Sequence, residues 1–286
     1  GMTVIDDCYN ANPVSMKASL DVLNNNLLNR RLKVKAKKHL GQHFLTDLSI
    51  AADIAATLSH APTANVLEVG PGMGVLTQFL MKNGHEVRVA EIDSESVEYL
   101  RMNFPGLHGR IIEGDFLRMD LRDVFAGQEF SLIGNYPYNI SSQIMFKALE
   151  YTDIIPVISG MFQKEVAERL TAEHGSKTYG ILSVLLKVYY DTEYLFTVPE
   201  NVFSPPPKVK SGVIRLVRKK EPATGFDVCM LKKIVKAGFN QRRKTLRNAL
   251  KTLGIPESVA SSRFMDLRAE QLPYSDFIEL ARLYSR

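Results

Sequence analysis

Short apolar runs alternate with amphipathic stretches through the middle of the chain. Runs at residues 64–69, 86–92, 110–113, 130–133, 155–162 and 213–217 each suit a buried strand, and helical periodicity fills the gaps between them. Strands separated by helices cross over and lie parallel rather than pairing as hairpins. The pattern therefore predicts an α/β fold, a doubly wound Rossmann-like sheet with helices on both faces. Ser204-Pro205-Pro206-Pro207 breaks the series, because proline offers no N–H to a ladder or a helix. From about residue 222 only helical periodicity remains, punctuated by Gly254-Ile255-Pro256 and Leu272-Pro273. The expected organisation is an N-terminal extension with a basic arm (1–39), an α/β domain (40–220) and a small helical domain (221–286).

A chain of 286 residues has room for both folded parts, each with its own core. Hydrophobic residues at 45% and charged residues at 23% are ordinary for a globular protein. No apolar stretch approaches the roughly 18 residues of a membrane span and no export signal is evident, so neither membrane insertion nor secretion is expected. Two cysteines, Cys8 and Cys229, make neither a disulfide framework nor a metal-ligand spacing, which fits a cytoplasmic protein without a metal.

The formal charge is only +5, but it is clustered. Arg30, Arg31, Lys33, Lys35, Lys37 and Lys38 crowd one stretch ahead of the α/β domain. Lys232, Lys233, Lys236, Arg242, Arg243, Lys244, Arg247 and Lys251 form a second cluster with no acid between Met230 and Leu253. A charge run is usually just a solvated face. Two acid-free clusters in a nearly neutral chain point instead to phosphates, and so to nucleic acid. Arg242 and Arg243 have a second use open to them, as a bridge between the two domains.

Gly70-Pro71-Gly72-Met73-Gly74 leads from the first strand candidate toward a helix. Glycines there permit a tight turn and let a ligand lie against the backbone. Glu91 ends the next strand candidate, 21 positions beyond Gly70, where a carboxylate can accept from both hydroxyls of a ribose. Asp115 closes the third, where it can accept from an adenine amino group. A dinucleotide would account for the first two features. S-adenosylmethionine accounts for these and for a fourth at the end of the fourth strand candidate, Asn135-Tyr136-Pro137-Tyr138.

An exocyclic amine on a base is a poor nucleophile, since its lone pair is delocalised into the ring. The Asn135 side-chain carbonyl and the Tyr136 backbone carbonyl can accept its two N–H hydrogens and localise that pair. Pro137 stiffens the loop, and Tyr138 offers a flat face to a flipped-out base. The bland alternative is an ordinary turn, in which all three residue types are common.

With these residues in view the chain resembles the ribosomal RNA small-subunit adenine dimethyltransferases (the KsgA family) from about Lys37 to the C-terminus. The likeness is carried by Gly41-Gln42-His43-Phe44-Leu45, Glu68-Val69-Gly70-Pro71-Gly72, Glu91-Ile92-Asp93, Gly114-Asp115, the segment 134–141, Gln163-Lys164-Glu165-Val166, the segment 203–209 and Phe239-Asn240-Gln241-Arg242-Arg243-Lys244. The triple-proline segment and the last element favour this family over the related erythromycin-resistance methyltransferases. The resemblance implies cofactor contacts from His43, Leu45, Gly70, Glu91, Asp115 and Asn135, with Gly72 in the same loop. It implies that Phe203 packs the flipped adenine opposite Tyr138. The family usually has Asn where this chain has His43, and Leu or Ile where it has Tyr136. The resemblance further implies an S-adenosylmethionine-dependent enzyme that dimethylates N6 of two adjacent adenines in the 3′-terminal hairpin loop of small-subunit (16S) rRNA. Its partner is then the immature small ribosomal subunit, and the chain is expected to act as a monomer. Two other readings stand beside it: an assembly checkpoint that works mainly by binding the particle, and an amino-methyltransferase of DNA or large-subunit rRNA.

Residues 3–23 stand apart. Asp6-Asp7-Cys8-Tyr9-Asn10-Ala11-Asn12-Pro13-Val14-Ser15-Met16 is similar to a short motif of the ATP-dependent Mur ligases, yet the chain has no Gly-Lys-Thr/Ser phosphate loop. The segment reads as a remnant, a fusion or a start-site artefact without ligase chemistry, with a helix expected over residues 15–28.

Overall fold

Strands buried on both faces read as unbroken apolar runs, and that is why the central elements form where the sequence places them. The computed structural model describes Lys37, Leu40 and residues 42–285. The Mur-like segment, Arg30, Arg31, Lys33, Lys35 and Lys38 lie outside the described residues. In order, the elements are β1 (Phe44–Leu45), α1 (Leu48–Ala56), β2 (Asn65–Val69), α2 (Thr77–Lys82), β3 (Glu86–Glu91), α3 (Ser94–Asn103) and β4 (Ile111–Glu113). There follow α4 (Leu121–Val124), β5 (Ser131–Asn135), α5 (Ser141–Ala148), β6 (Val157–Gln163), α6 (Lys164–Thr171), α7 (Ile181–Tyr189) and β7 (Tyr190–Val198). The chain ends with β8 (Phe203–Ser204), β9 (Ser211–Arg218), α8 (Val228–Asn240), α9 (Leu246–Ala249), α10 (Glu257–Ala260) and α11 (Tyr274–Tyr284).

Seven strands make one sheet in the order β4-β3-β2-β5-β6-β9-β7. β2 runs parallel to β3 and β5, β3 to β4, and β5 to β6, while β9 is antiparallel to both β6 and β7. From β2 the chain moves outward to β3 and β4, then returns to lay β5 on the other flank of β2. The loops after β2 and β5 thus diverge and leave a crevice at the carboxyl ends of those strands. Open α/β sheets bind ligands at such a switch point.

Two features of the topology are absent from the hydrophobic pattern. β7 follows α7 without a break, and its Tyr190-Asp191-Thr192-Glu193 start looks polar because this is an edge strand, with a bulge between Tyr194 and Phe196. The second is a two-stranded ribbon that pairs Phe44 with Ser204 and Leu45 with Phe203. Both the amide and the hydroxyl of Thr46 donate to the Val202 carbonyl at 2.8 Å, extending this link.

The C-terminal helices do not bury a core of their own. One apolar cluster runs from the sheet residues Leu67 and Leu132 through Leu182 and Leu185 to Leu231, Ile234 and Phe277. The Tyr179, Phe239 and Phe277 rings join in sequence, with centroids 5.7 and 6.0 Å apart. α8 buries Leu231, Ile234, Val235 and Gly238 and turns Lys232, Lys233 and Lys236 outward.

Candidate active site

Gly70 and Gly72 sit in the left-handed region at φ +67° and +53°, conformations that a side chain disfavours. Their turn lies at the end of β2, and regular helix begins only at Thr77. A Cβ on Gly70 would lie 3.6 Å from the Pro137 ring, so the glycine turn faces the loop after β5 directly. Between them is a cavity whose walls include His43, Leu45, Glu68, Gly70, Gly72, Glu91, Asp115, Asn135, Tyr136, Pro137 and Tyr138. All the sequence-predicted cofactor positions therefore line one space.

Glu91 is held by the backbone. Its Oε2 accepts from the Gly72 amide at 3.0 Å, and Oε1 accepts from the Ile92 and Asp93 amides at 2.9 Å each. Burial raises its pKa above the ordinary carboxylate value, and these three N–H groups only partly oppose that. The bonds fix the carboxyl group in the cavity wall, and the oxygen lone pairs they leave over can accept from hydroxyls. Asp115 uses Oδ1 to accept from the Leu117 amide at 3.0 Å and stands beside Arg118.

Asn135 ends β5. Its Nδ2 donates to the His43 backbone carbonyl at 3.2 Å. A planar amide tied down on its nitrogen side turns its oxygen the other way, so the side-chain carbonyl is free to accept. The Tyr136 amide donates to the Met161 carbonyl at 3.0 Å. The Tyr136 side chain leaves the cavity for the core, where its hydroxyl donates to the Ser159 carbonyl at 2.9 Å and its ring lies 4.6 Å from Phe162. It fits because Gly134 and Gly160 are register partners with no side chains in its way. Tyr138 pairs its hydroxyl with the Ser211 hydroxyl at 2.6 Å across to β9. Burial raises the Tyr138 pKa, partly offset by that bond, so the phenol stays neutral.

His43 sets Nδ1 2.9 Å from the Pro205 carbonyl and its ring 5.4 Å from that of Tyr138. Imidazole in the place of the family's usual Asn therefore makes a bond of its own. Phe203 differs from expectation. It is 4% exposed, packed with Leu45, Ile54, Leu76 and Val213, and is not among the residues on the cavity wall. Its pairing with Leu45 puts it directly behind the wall.

Glu68 lines the cavity yet belongs to none of the predicted roles. It is 1% exposed, with Thr77 Oγ1 donating to it at 2.6 Å, and burial pushes its pKa up to about 8. The acidic residue between two apolar neighbours in β2 was the available signal, since a carboxyl group in a buried strand needs a reason.

Among the basic candidates the structure separates two kinds. Lys37 pairs with Asp93 at 2.5 Å and Glu95 at 3.0 Å, so two carboxylates share its charge. Burial alone would raise the Asp93 pKa, but hydrogen bonds from Lys37, Ser96 and Gln42 hold it below the usual carboxylate value. Arg242 is a bridge: its Nε meets Glu270 at 2.6 Å and Nη2 donates to the Ser176 carbonyl at 3.1 Å. Arg247 is likewise drawn to Asp266 at 3.2 Å. Arg243 and Lys244 are exposed and have no acidic partner among the described residues.

Comparison with known proteins bears on this site. The family model described as ribosomal RNA adenine dimethylase matches residues 33–285. A Ribosomal RNA small subunit methyltransferase A from Parabacteroides distasonis is 60% identical over 248 residues, 86% of this chain and 93% of the relative. One of the same name from Porphyromonas gingivalis is 57% identical over 257 residues, 88% of this chain and 98% of the relative. Among solved structures, a dimethyladenosine transferase from Plasmodium falciparum shares the fold with a TM-score of 0.69 at 24% identity, covering 83% of this chain and 96% of its own. The 23S rRNA methyltransferase ErmE gives a TM-score of 0.62 at 26% identity, covering 83% of this chain and 99% of its own. The match spans the glycine turn, the Asn-Tyr-Pro-Tyr loop and the C-terminal helices alike, and this chain belongs to the ribosomal RNA adenine dimethylase family.

Proposed function

We propose that this chain is an S-adenosylmethionine-dependent enzyme that dimethylates N6 of two adjacent adenines in the 3′-terminal hairpin loop of small-subunit rRNA. One observation carries the chemistry. Asn135 is fixed through its nitrogen, which leaves a carbonyl acceptor in the wall of a cavity that also carries a carboxylate suited to a ribose.

The donor set fits the cofactor. Glu91 can accept from ribose hydroxyls and Asp115 from an adenine amine, with Gly70 and Gly72 admitting close backbone approach. When bound, S-adenosylmethionine supplies an electrophilic methyl group on a sulfonium. Asn135 Oδ1 and the Tyr136 carbonyl accept the two N–H hydrogens of the target amine and raise the availability of its lone pair. Tyr138 supports one face of the adenine, and Phe203 buttresses the site from behind the wall through its pairing with Leu45. Stacking of this kind is worth roughly 1–3 kcal/mol per base. No strong general base is required, because the methylated amine is cationic and sheds a proton to water readily. A monomethylated adenine keeps one N–H, so a second transfer can follow. Positioning and dipoles aimed at developing positive charge are the main catalytic terms.

The substrate particle in this reading is the immature small ribosomal subunit, met by a monomer in the cytoplasm. Residues 40–220 carry the chemistry. The helices of residues 221–286 hold RNA through outward cations such as Arg243 and Lys244, and the basic arm ahead of Lys37 adds to this. Asn135→Ala tests the core of the proposal. Turnover on undermethylated small subunits should fall by at least a hundredfold while affinity for the particle is retained. Near-normal turnover would remove Asn135 from the mechanism.

A further inference from the structure

The segment from Ser204 to Ser211 joins two parts of the active site and is itself tied to it at both ends. At one end the Pro205 carbonyl meets His43 Nδ1 at 2.9 Å. At the other, Ser211 shares its hydroxyl with Tyr138 at 2.6 Å, and the Lys164 amide donates to the Lys210 carbonyl at 2.9 Å. Between these anchors Lys208, Val209 and Lys210 are all exposed, Val209 at 45%. Neither lysine has an acidic partner among the described residues, whereas the half-buried cations Arg215 and Lys219 on and just after β9 are paired with Glu193 and Asp191.

We infer that Lys208-Val209-Lys210 is a second RNA-contact element, a rim that grips the backbone phosphates next to the target adenine. The inference rests on the proposed function and locates one part of its substrate contact. Extruding a base from its stack costs a few kcal/mol and strains the flanking backbone, so the strand on either side has to be held close to the pocket. Cations at the mouth can do this only if they cannot drift. Here the anchors fix the rim relative to two residues of the cavity wall, His43 and the Tyr138 that supports the adenine. Val209 between the lysines gives an apolar shoulder on which a neighbouring base or ribose can rest. The rim is tied to the cavity wall through His43 and Tyr138, whereas Arg243 and Lys244 follow α8 in the C-terminal helical region, so the two groups offer separate footholds on one RNA.

The test uses the full chain and undermethylated small ribosomal subunits, comparing wild type with the Lys208→Ala/Lys210→Ala double variant across a salt series. Two lost phosphate contacts on a single strand should lower the slope of log affinity against log salt by about 1.4. KM for the particle should rise at least tenfold at fixed cofactor, with S-adenosylmethionine affinity and melting temperature unchanged. Val209→Asp, which removes no lysine, should weaken particle binding in the same direction. An unchanged salt slope and KM in the double variant, with wild type methylating normally, overturns the rim while leaving the enzyme reading intact. Failure of wild type itself to methylate any rRNA would instead overturn the reading on which the rim rests.

Discussion

Replacing Glu68 with Gln should make the protein more stable, and increasingly so as pH rises. Glu68 is 1% exposed, has Thr77 as its one hydrogen-bond donor, and has no cation beside it among the described residues. Its pKa in the folded chain is pushed from the ordinary 4.5 up to about 8 by burial, with the nearby Glu91 adding to the rise. A raised folded-state pKa favours the protonated form in the native state. Below about pH 4.5 both states hold the proton and this group adds no pH dependence. Between 4.5 and about 8 the unfolded chain releases the proton and the folded chain keeps it, so stability falls with rising pH; above 8 the loss is complete. At ~1.4 kcal/mol per tenfold, the full window amounts to at most about 5 kcal/mol, and the stretch from pH 5 to 7 to about 2–3 kcal/mol. Glutamine keeps the shape and an acceptor for Thr77 but has no proton to lose. Urea unfolding of both proteins at pH 5, 6, 7, 8 and 9 measures the difference directly. The stability gap in favour of Gln should widen through pH 8 and then level. A gap that stays flat from pH 5 to 9 would refute the claim that Glu68 is an unpaired buried carboxyl.

Three further outcomes follow from the same geometry. Gly160→Ala adds a Cβ that collides with the Gly134 carbonyl and lies 2.8 Å from the Tyr136 ring, at a backbone φ of +135°, so it should cost more than about 3 kcal/mol in denaturant unfolding. Arg242→Ala breaks a half-exposed ion pair with Glu270 and a bond to Ser176, and should cost about 1 kcal/mol in thermal melts. Arg243→Ala and Lys244→Ala should leave stability within about 0.5 kcal/mol of wild type but reduce the salt dependence of particle binding.

The sheet was legible because its central strands are buried on both faces and so read as apolar runs; Leu132-Ile133 and Val66-Leu67 announce β5 and β2 without help from neighbours. β7 was not, because an edge strand shows polar residues to water and begins directly after a helix. The β1–β8 ribbon was beyond reach for another reason. Two residues on each side carry no periodicity, and the pairing of Leu45 with Phe203 is a long-range contact that neither segment encodes alone. At the site, Glu91, Asp115 and Asn135 were legible from their places at successive strand ends. Phe203 illustrates the limit, since motif position indicated an aromatic at the base site but could not reveal that its ring is packed among Leu45 and Ile54. The basic residues show the same limit in reverse. Arg242 and Arg243 are adjacent and chemically identical, and only the placement of Glu270 and Ser176 makes one a bridge and leaves the other without an acidic partner among the described residues.

The most direct test of the central claim is transfer of labelled methyl from S-adenosylmethionine to undermethylated small ribosomal subunits, followed by nucleoside analysis of the rRNA. The account predicts label in N6,N6-dimethyladenosine, confined to the 3′-terminal hairpin loop of the small-subunit rRNA. Tight particle binding and cofactor binding with no label in adenosine would contradict it and leave a binding role in subunit assembly as the better description.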